Sequence, residues 1–205
     1  VHTLLMISLV HSVDRHTKVL CVNALYNLLD DTTVDYMVGE GITTSIANLC
    51  KLDDEKVVQL CAKMFNYLTK FSHAMTVMME RTSLTCSAID KMLLGGRDAD
   101  TKMIAARTTA NLALAEDKVV HDAIIDGGGL DVLSKGALLD WAKEASMQCI
   151  AALVLCCREE RFRAMMGSIH VGDSMVQLSL NGVNQDETKN VLISKIIATL
   201  AHDES

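Results

Sequence analysis

Proline is absent from the whole sequence of 205 residues, where average usage would place about ten. Aromatic residues are nearly as scarce: three Tyr, three Phe and one Trp make up 3% of the chain. Collagen, proline-rich disorder and polyproline linkers are excluded, and most β-sandwich folds drop out with them. No uninterrupted apolar run reaches the roughly 18 residues of a membrane-spanning helix. The opening Val1-His2-Thr3 lacks the basic segment of a secretory signal. Excess positive charge is missing too. With 19 basic and 26 acidic residues the formal net charge is −7, so the overall field repels phosphate backbones and anionic lipid heads. Neither nucleic acid nor a membrane is expected as a partner.

What the chain has in abundance is apolar surface. Half of the residues are hydrophobic and 22% are charged, a balance that buries a core and argues against intrinsic disorder. Seven cysteines, an odd number, lie inside apolar runs at Cys21, Cys50, Cys61, Cys86, Cys149, Cys156 and Cys157. Thiols so placed read as small reduced hydrophobes, which fits a cytoplasmic or nuclear compartment. Val1 begins the sequence in the middle of a pattern, as a piece of a longer protein would.

The pattern is a repeat. Cys21-Val22-Asn23-Ala24-Leu25-Tyr26-Asn27-Leu28 has a counterpart in Ala105-Ala106-Arg107-Thr108-Thr109-Ala110-Asn111-Leu112, 84 residues on, or two periods of 42. Midway stands Cys61-Ala62-Lys63-Met64-Phe65-Asn66-Tyr67-Leu68, and further copies begin at Cys149 and Ile193. A second marker recurs at a similar interval. Val38-Gly39-Glu40-Gly41-Ile42 and Ile125-Asp126-Gly127-Gly128-Gly129-Leu130 both set glycine between a short helical pattern and a longer one. Each unit reads as a short helix, a glycine turn, a middle helix, a polar loop and a long helix. Loop markers fall at Asp30-Asp31, Asp53-Asp54, Gly95-Gly96, Glu116-Asp117, Arg158-Glu159-Glu160 and Asn181-Gly182, where Asp and Asn suit helix caps. The long helices are expected at 15–29, 54–70, 98–115, 140–157 and 184–202.

These residues resemble the armadillo repeat family, in divergent form. Its units of about 42 residues hold three helices, with glycine entering the second and a small-x-x-Ala-Leu-x-Asn-Leu signature on the third. The resemblance implies an all-α, right-handed solenoid of about four and a half repeats forming one domain over 1–205. It comprises a partial repeat 1–30 lacking its first helix, then repeats 31–71, 72–116, 117–158 and 159–205. HEAT repeats are the alternative within the same solenoid class. The proline usual in the family's Gly-Ala-Ile-Pro turn is absent from every copy.

A stacked array has no closed pocket but offers a long concave surface. The resemblance implies that third-helix asparagines form a ladder there, whose amides pair with the backbone of an extended peptide. Asn27 and Asn111 fall on the ladder. Asn66 falls one position early if Cys61 is aligned with Cys21, which puts Tyr67 on the ladder and Lys63 beside it. One turn before it stand Asn23, Ala62 or Lys63, and Arg107, where relatives that bind basic nuclear-localisation peptides carry Trp. The single Trp141 lies near the start of a long helix instead. The candidate groove is therefore Asn23, Asn27, Asn66, Arg107 and Asn111.

Chemistry of other kinds finds little support. The glycine clusters match no phosphate-binding or dinucleotide fingerprint, and the cysteines include no Cys-x-x-Cys. The seven histidines show no His-x-x-x-His pair and no acidic partner at ligand spacing. No cofactor and no metal is expected. Met75, Met78 and Met79 form a stripe that reads as core or as an adaptable surface. Asp53-Asp54-Glu55 and Glu159-Glu160 read as helix N-terminus stabilisers or as a seat for a cation or a basic partner. The function expected is a non-catalytic protein-interaction scaffold or adaptor that binds a protein or peptide in the groove. The alternative is a structural segment of a large assembly, cytoskeletal or ciliary for example, contacting partners through convex or end surfaces.

Overall fold

A computed structural model describes residues 1–10, 14–95, 98–139, 141–181 and 187–203. Among the described residues every regular element is a helix and none is a strand. A pair opens the chain, α1 (His2–Leu9) and α2 (Arg15–Leu28). Four triplets follow. The first is α3 (Val34–Gly39), α4 (Ile42–Leu49) and α5 (Glu55–Leu68), and the second α6 (Ser72–Glu80), α7 (Thr82–Gly95) and α8 (Ala99–Ala113). Then come α9 (Lys118–Ile124), α10 (Leu130–Ala137) and α11 (Lys143–Cys156), with a wider π-type turn over Ile125–Gly129 between the first two. The last triplet is α12 (Glu160–Ser168), α13 (Val171–Asn181) and α14 (Glu187–Asp203).

Aspartates cap the first three long helices. Asp14 accepts from the backbone N–H of Thr17, Asp54 from that of Val57, and Asp98 from those of Asp100 and Thr101. Each cap satisfies donors that the first turn leaves without an intrahelical partner. The first long helices thus begin at 15, 55 and 99, and α11 and α14 begin at 143 and 187. The steps are 40, 44, 44 and 44 residues, so the period brackets 42 without being uniform. All five helices fall within three residues of the expected boundaries at both ends. The expected loop markers Gly96 and Gly182 lie outside the described residues.

The turn into the middle helix needs a left-handed residue, and its position sharpens the glycine reading. Gly41 has φ +89° and Gly128 has φ +98°, so the second of the three clustered glycines makes the turn. Glycine adopts this conformation without the Cβ clash that penalises other residues. In the last triplet His170 stands at the same junction with φ +57°, 42 residues after Gly128. The α6–α7 junction manages without a left-handed residue, passing through Arg81 at φ −121° and ψ 51°.

Consecutive units stack like on like. Long helices pack in the series α2, α5, α8, α11, α14, middle helices in the series α1, α4, α7, α10, α13, and α3, α6 and α9 along a third row. One continuous core results, running from Leu5 to Ile196 and including the fully buried Phe65 and Phe162. Burying side chains of this size contributes about 2–3 kcal/mol each. The methionine stripe belongs to that core, with Met78 and Met79 buried and Met75 packed against it. Packing is close around Gly136 on α10, where a Cβ would lie 2.7 Å from Cys149 Sγ and 3.1 Å from the Ala106 Cβ.

Candidate functional site

The common starts of the long helices fix which side chains share a row. The ninth residues are Asn23, Lys63, Arg107, Ala151 and Lys195, and the thirteenth are Asn27, Tyr67, Asn111, Leu155 and Thr199. Both rows are part-exposed or exposed, while the seventh and eleventh positions are mostly buried. Positions four apart share a helix face, so the two rows run side by side along one outer stripe. Tyr67, not Asn66, occupies the thirteenth position of α5. Asn66 stands one place earlier, in register with Tyr26, Ala110 and Val154.

Several candidate side chains already hold the scaffold together. Asn23 Nδ2 donates to the Val19 carbonyl of its own helix at 2.7 Å. Asn111 Nδ2 reaches back across the unit boundary to Thr69 Oγ1 at 2.9 Å, and Thr69 Oγ1 donates to the Asn66 carbonyl at 2.7 Å. Tyr67 makes the same backward reach, its hydroxyl donating to Asp31; that carboxylate pushes the phenol up to about 12. Arg107 Nη2 pairs with Glu144 Oε2 on α11 at 2.9 Å. Asn27 is exposed and has no hydrogen-bond partner among the described residues.

Three buried atoms on the long helices are unpaired: Asn66 Oδ1 at the twelfth position of α5, Arg107 Nε at the ninth of α8 and Gln148 Oε1 at the sixth of α11. Sequence reasoning did not single out Gln148. Its only signal is its separation from Arg107, 41 residues, the same as that between Asn66 and Arg107. Lys63, in the row between them, is part-buried and has no ion-pair partner among the described residues.

Elsewhere a cleft of about 780 Å³ lies away from the long helices, between α7 and the turn into α10. Thr82, Cys86, Asp90, Asp126, Gly127 and Asp131 contribute to its lining. Lys135 pairs with Asp131 and, at 3.8 Å, with Asp90. Tertiary structure also supplies the acidic partner that spacing alone did not give to a histidine. Ligand atoms of His121, Asp122 and Glu159 lie within 4.8 Å of one another. His121 Nδ1 hydrogen-bonds the Ala113 carbonyl at 2.5 Å. Each carboxylate there faces a cation, Asp122 with Arg161 at 3.3 Å and Glu159 with Lys118 at 3.5 Å. The acidic segment at Asp54 acts as a cap and also pairs with Arg15 at 2.9 Å. All seven cysteines are buried. Burial pushes the Cys86 thiol to about 11 and those of Cys149 and Cys156 to about 12, far from the low values of nucleophilic cysteines.

No protein-family model and no curated protein matches the sequence. Solved structures do match, over nearly the whole chain. A computationally designed armadillo repeat protein for modular peptide recognition superposes with a TM-score of 0.74 at 13% identity, covering 97% of this chain and 81% of its own. The fold is that of an armadillo repeat solenoid. A second designed armadillo repeat protein, in complex with the peptide (KR)4, matches with a TM-score of 0.70 at 13% identity over 97% and 81% of the two chains. An engineered protein reaches 20% identity with a TM-score of 0.71, over 98% of this chain and 47% of its own. In this armadillo solenoid no helix among the described residues is long and apolar enough to cross a membrane.

Proposed function

We propose that this armadillo solenoid is a non-catalytic interaction scaffold that takes an extended peptide along the stripe of its long helices. The groove comprises Asn23, Asn27, Asn66, Arg107 and Asn111. The observation that carries the reading is the recurrence of polar side chains at the ninth and thirteenth positions of successive stacked helices, two of which are Asn27 and Asn111. An extended strand presents a donor and an acceptor at every residue, and amides spaced one per unit can pair with it whatever its sequence. Backbone pairing weakens toward α11, where Leu155 takes the ladder position.

A second reading, a structural segment that meets its partners on other faces, is favoured by the internal bonds of Asn23 and Asn111. Selection of binders from a random peptide library separates the two. For a groove ligand, Asn27→Ala and Asn66→Ala lower affinity about tenfold together, at about 1 kcal/mol or less per hydrogen bond. Ser83→Ala, which alters the lining of the cleft between α7 and the turn into α10, leaves it unchanged. Peptides indifferent to the groove variants and sensitive at the cleft would establish the structural-segment reading instead.

A further inference from the structure

We infer that the segment bound across α5, α8 and α11 is acidic, its carboxylates meeting Lys63 and Arg107 while its backbone meets Asn66 and Gln148. The inference rests on the groove reading above and adds the chemical class of the ligand.

The unpaired atoms come first. Of the five buried side-chain polar atoms without a hydrogen-bond partner among the described residues, three are Asn66 Oδ1, Arg107 Nε and Gln148 Oε1. The others are Ser45 Oγ on α4 and Asp122 Oδ1, which lies near Arg161. Folded proteins pair nearly all such atoms, and an unpaired one carries its full desolvation penalty. Contacts between consecutive long helices join residues 37 to 43 apart, as in Arg107–Glu144, Gln59–Asp98, Asn111–Thr69 and Cys149–Ala106. A separation of 41 therefore sets Asn66, Arg107 and Gln148 on one line across three helices. Two are acceptors, on helices two steps apart in the stack and so suited to N–H groups several residues apart along an extended chain, and the third is a donor on a cation.

Charge then selects the ligand. The chain is acidic overall at −7, yet the ninth-position row holds Lys63, Arg107 and Lys195 and no carboxylate. Of the carboxylates beside that row, Glu144 is held by Arg107, and Asp31 is held by the Tyr67 hydroxyl in the neighbouring thirteenth-position row. Glu144 occupies one nitrogen of the guanidinium and leaves Nε free, so an incoming carboxylate finds a donor already desolvated. A basic peptide such as that bound by the second designed relative would meet like charge along this row. A nucleic acid would meet acceptors at Asn66 and Gln148 where its phosphates need donors, together with the repulsive field of the whole molecule.

Fluorescence anisotropy on the full chain tests this with labelled (Asp-Ser)4, (Gly-Ser)4 and (Lys-Ser)4, plus an eight-nucleotide thymidine oligonucleotide. Alternate residues of an extended peptide face one side, so the first probe aims every carboxylate at the row. The expected order is Asp-Ser tightest and Lys-Ser weakest, with affinity falling as salt rises. Lys63→Gln with Arg107→Gln weakens the acidic probe about tenfold. Glu144→Gln, at a residue 73% exposed, strengthens it severalfold by releasing Arg107 from its internal partner, an effect that a purely structural role for Arg107 does not give. A preference for the neutral or basic peptide that is lost in Asn66→Ala overturns the acidic class and leaves the groove standing. Tighter binding of the oligonucleotide overturns the peptide assignment. Failure of all probes to bind a normally helical protein overturns both the inference and the groove.

Discussion

Two asparagines in the same row do different work, because only one of them has a neighbour to bond. Asn111 ties α8 to the end of α5 through Thr69, whereas Asn27 faces solvent. Asn111→Ala removes a part-buried inter-unit hydrogen bond and strands part of the hydroxyl it served, so it lowers stability by about 1 kcal/mol. Asn27→Ala leaves stability within about 0.5 kcal/mol of the parent. Urea unfolding of the two variants checks this pair, and equal losses would contradict it. Any loss of binding in Asn27→Ala is therefore free of a folding contribution, which makes Asn27 the cleaner probe of the groove.

The helices are defined at their ends, and two junctions make this measurable. Hydrogen bonds from Thr101 and the first backbone N–H groups hold the Asp98 carboxyl below its usual value, as equivalent bonds do for Asp14 and Asp54. Because the folded values lie below the unfolded ones, this stabilisation is complete above about pH 4 and is lost as pH falls through the folded values. Asp98 also accepts from Gln59 of the preceding unit at 3.1 Å. Asp98→Ala costs about 1 kcal/mol at neutral pH and flattens the acid limb of a plot of Tm against pH. The other junction is His170, a β-substituted residue at φ +57° where its counterparts are glycine. His170→Gly removes the left-handed penalty, of about 1 kcal/mol, at a side chain 79% exposed. A raised Tm by calorimetry is expected, and a lowered one would show that the contact of His170 with Asp173 at 3.4 Å outweighs the strain.

Across the whole molecule, stability follows the stacking. Among the described residues the extensive helix contacts lie within a unit or between neighbouring units, so α5, α8 and α11 each have a packed unit on both sides. Hydrogen exchange should be slowest in these three central helices and faster in α1 and α13. Uniform protection from end to end would mean that the array unfolds as one block. The central helices also carry Asn66, Arg107 and Gln148, so slow exchange there would mean that a ligand on this line pays little to order the scaffold.

The sequence by itself determined the helical class, the five long helices and the periodic core, because these follow from the absence of proline, from Asp caps on the first three long helices and from apolar spacing along one stretch of chain. Glycines announced two of the left-handed turns, but His170 gave no such signal, since its backbone strain is tolerated only because the stacked neighbours fix the junction. The recurring Asn-Leu signature marked the thirteenth position of α2 and α8 and, in α5, fell one residue before Tyr67. Tertiary structure decided which of those polar groups are spent on the scaffold and which are left over. Asn111 meets Thr69 and Arg107 meets Glu144, both across units about 40 residues apart, while Asn66 Oδ1 and Gln148 Oε1 are left unpaired. Which side chains meet across that gap depends on the stagger between stacked helices. That stagger is set by how buried residues such as Ala106, Gly136 and Cys149 interlock, and not by any pattern within a single helix.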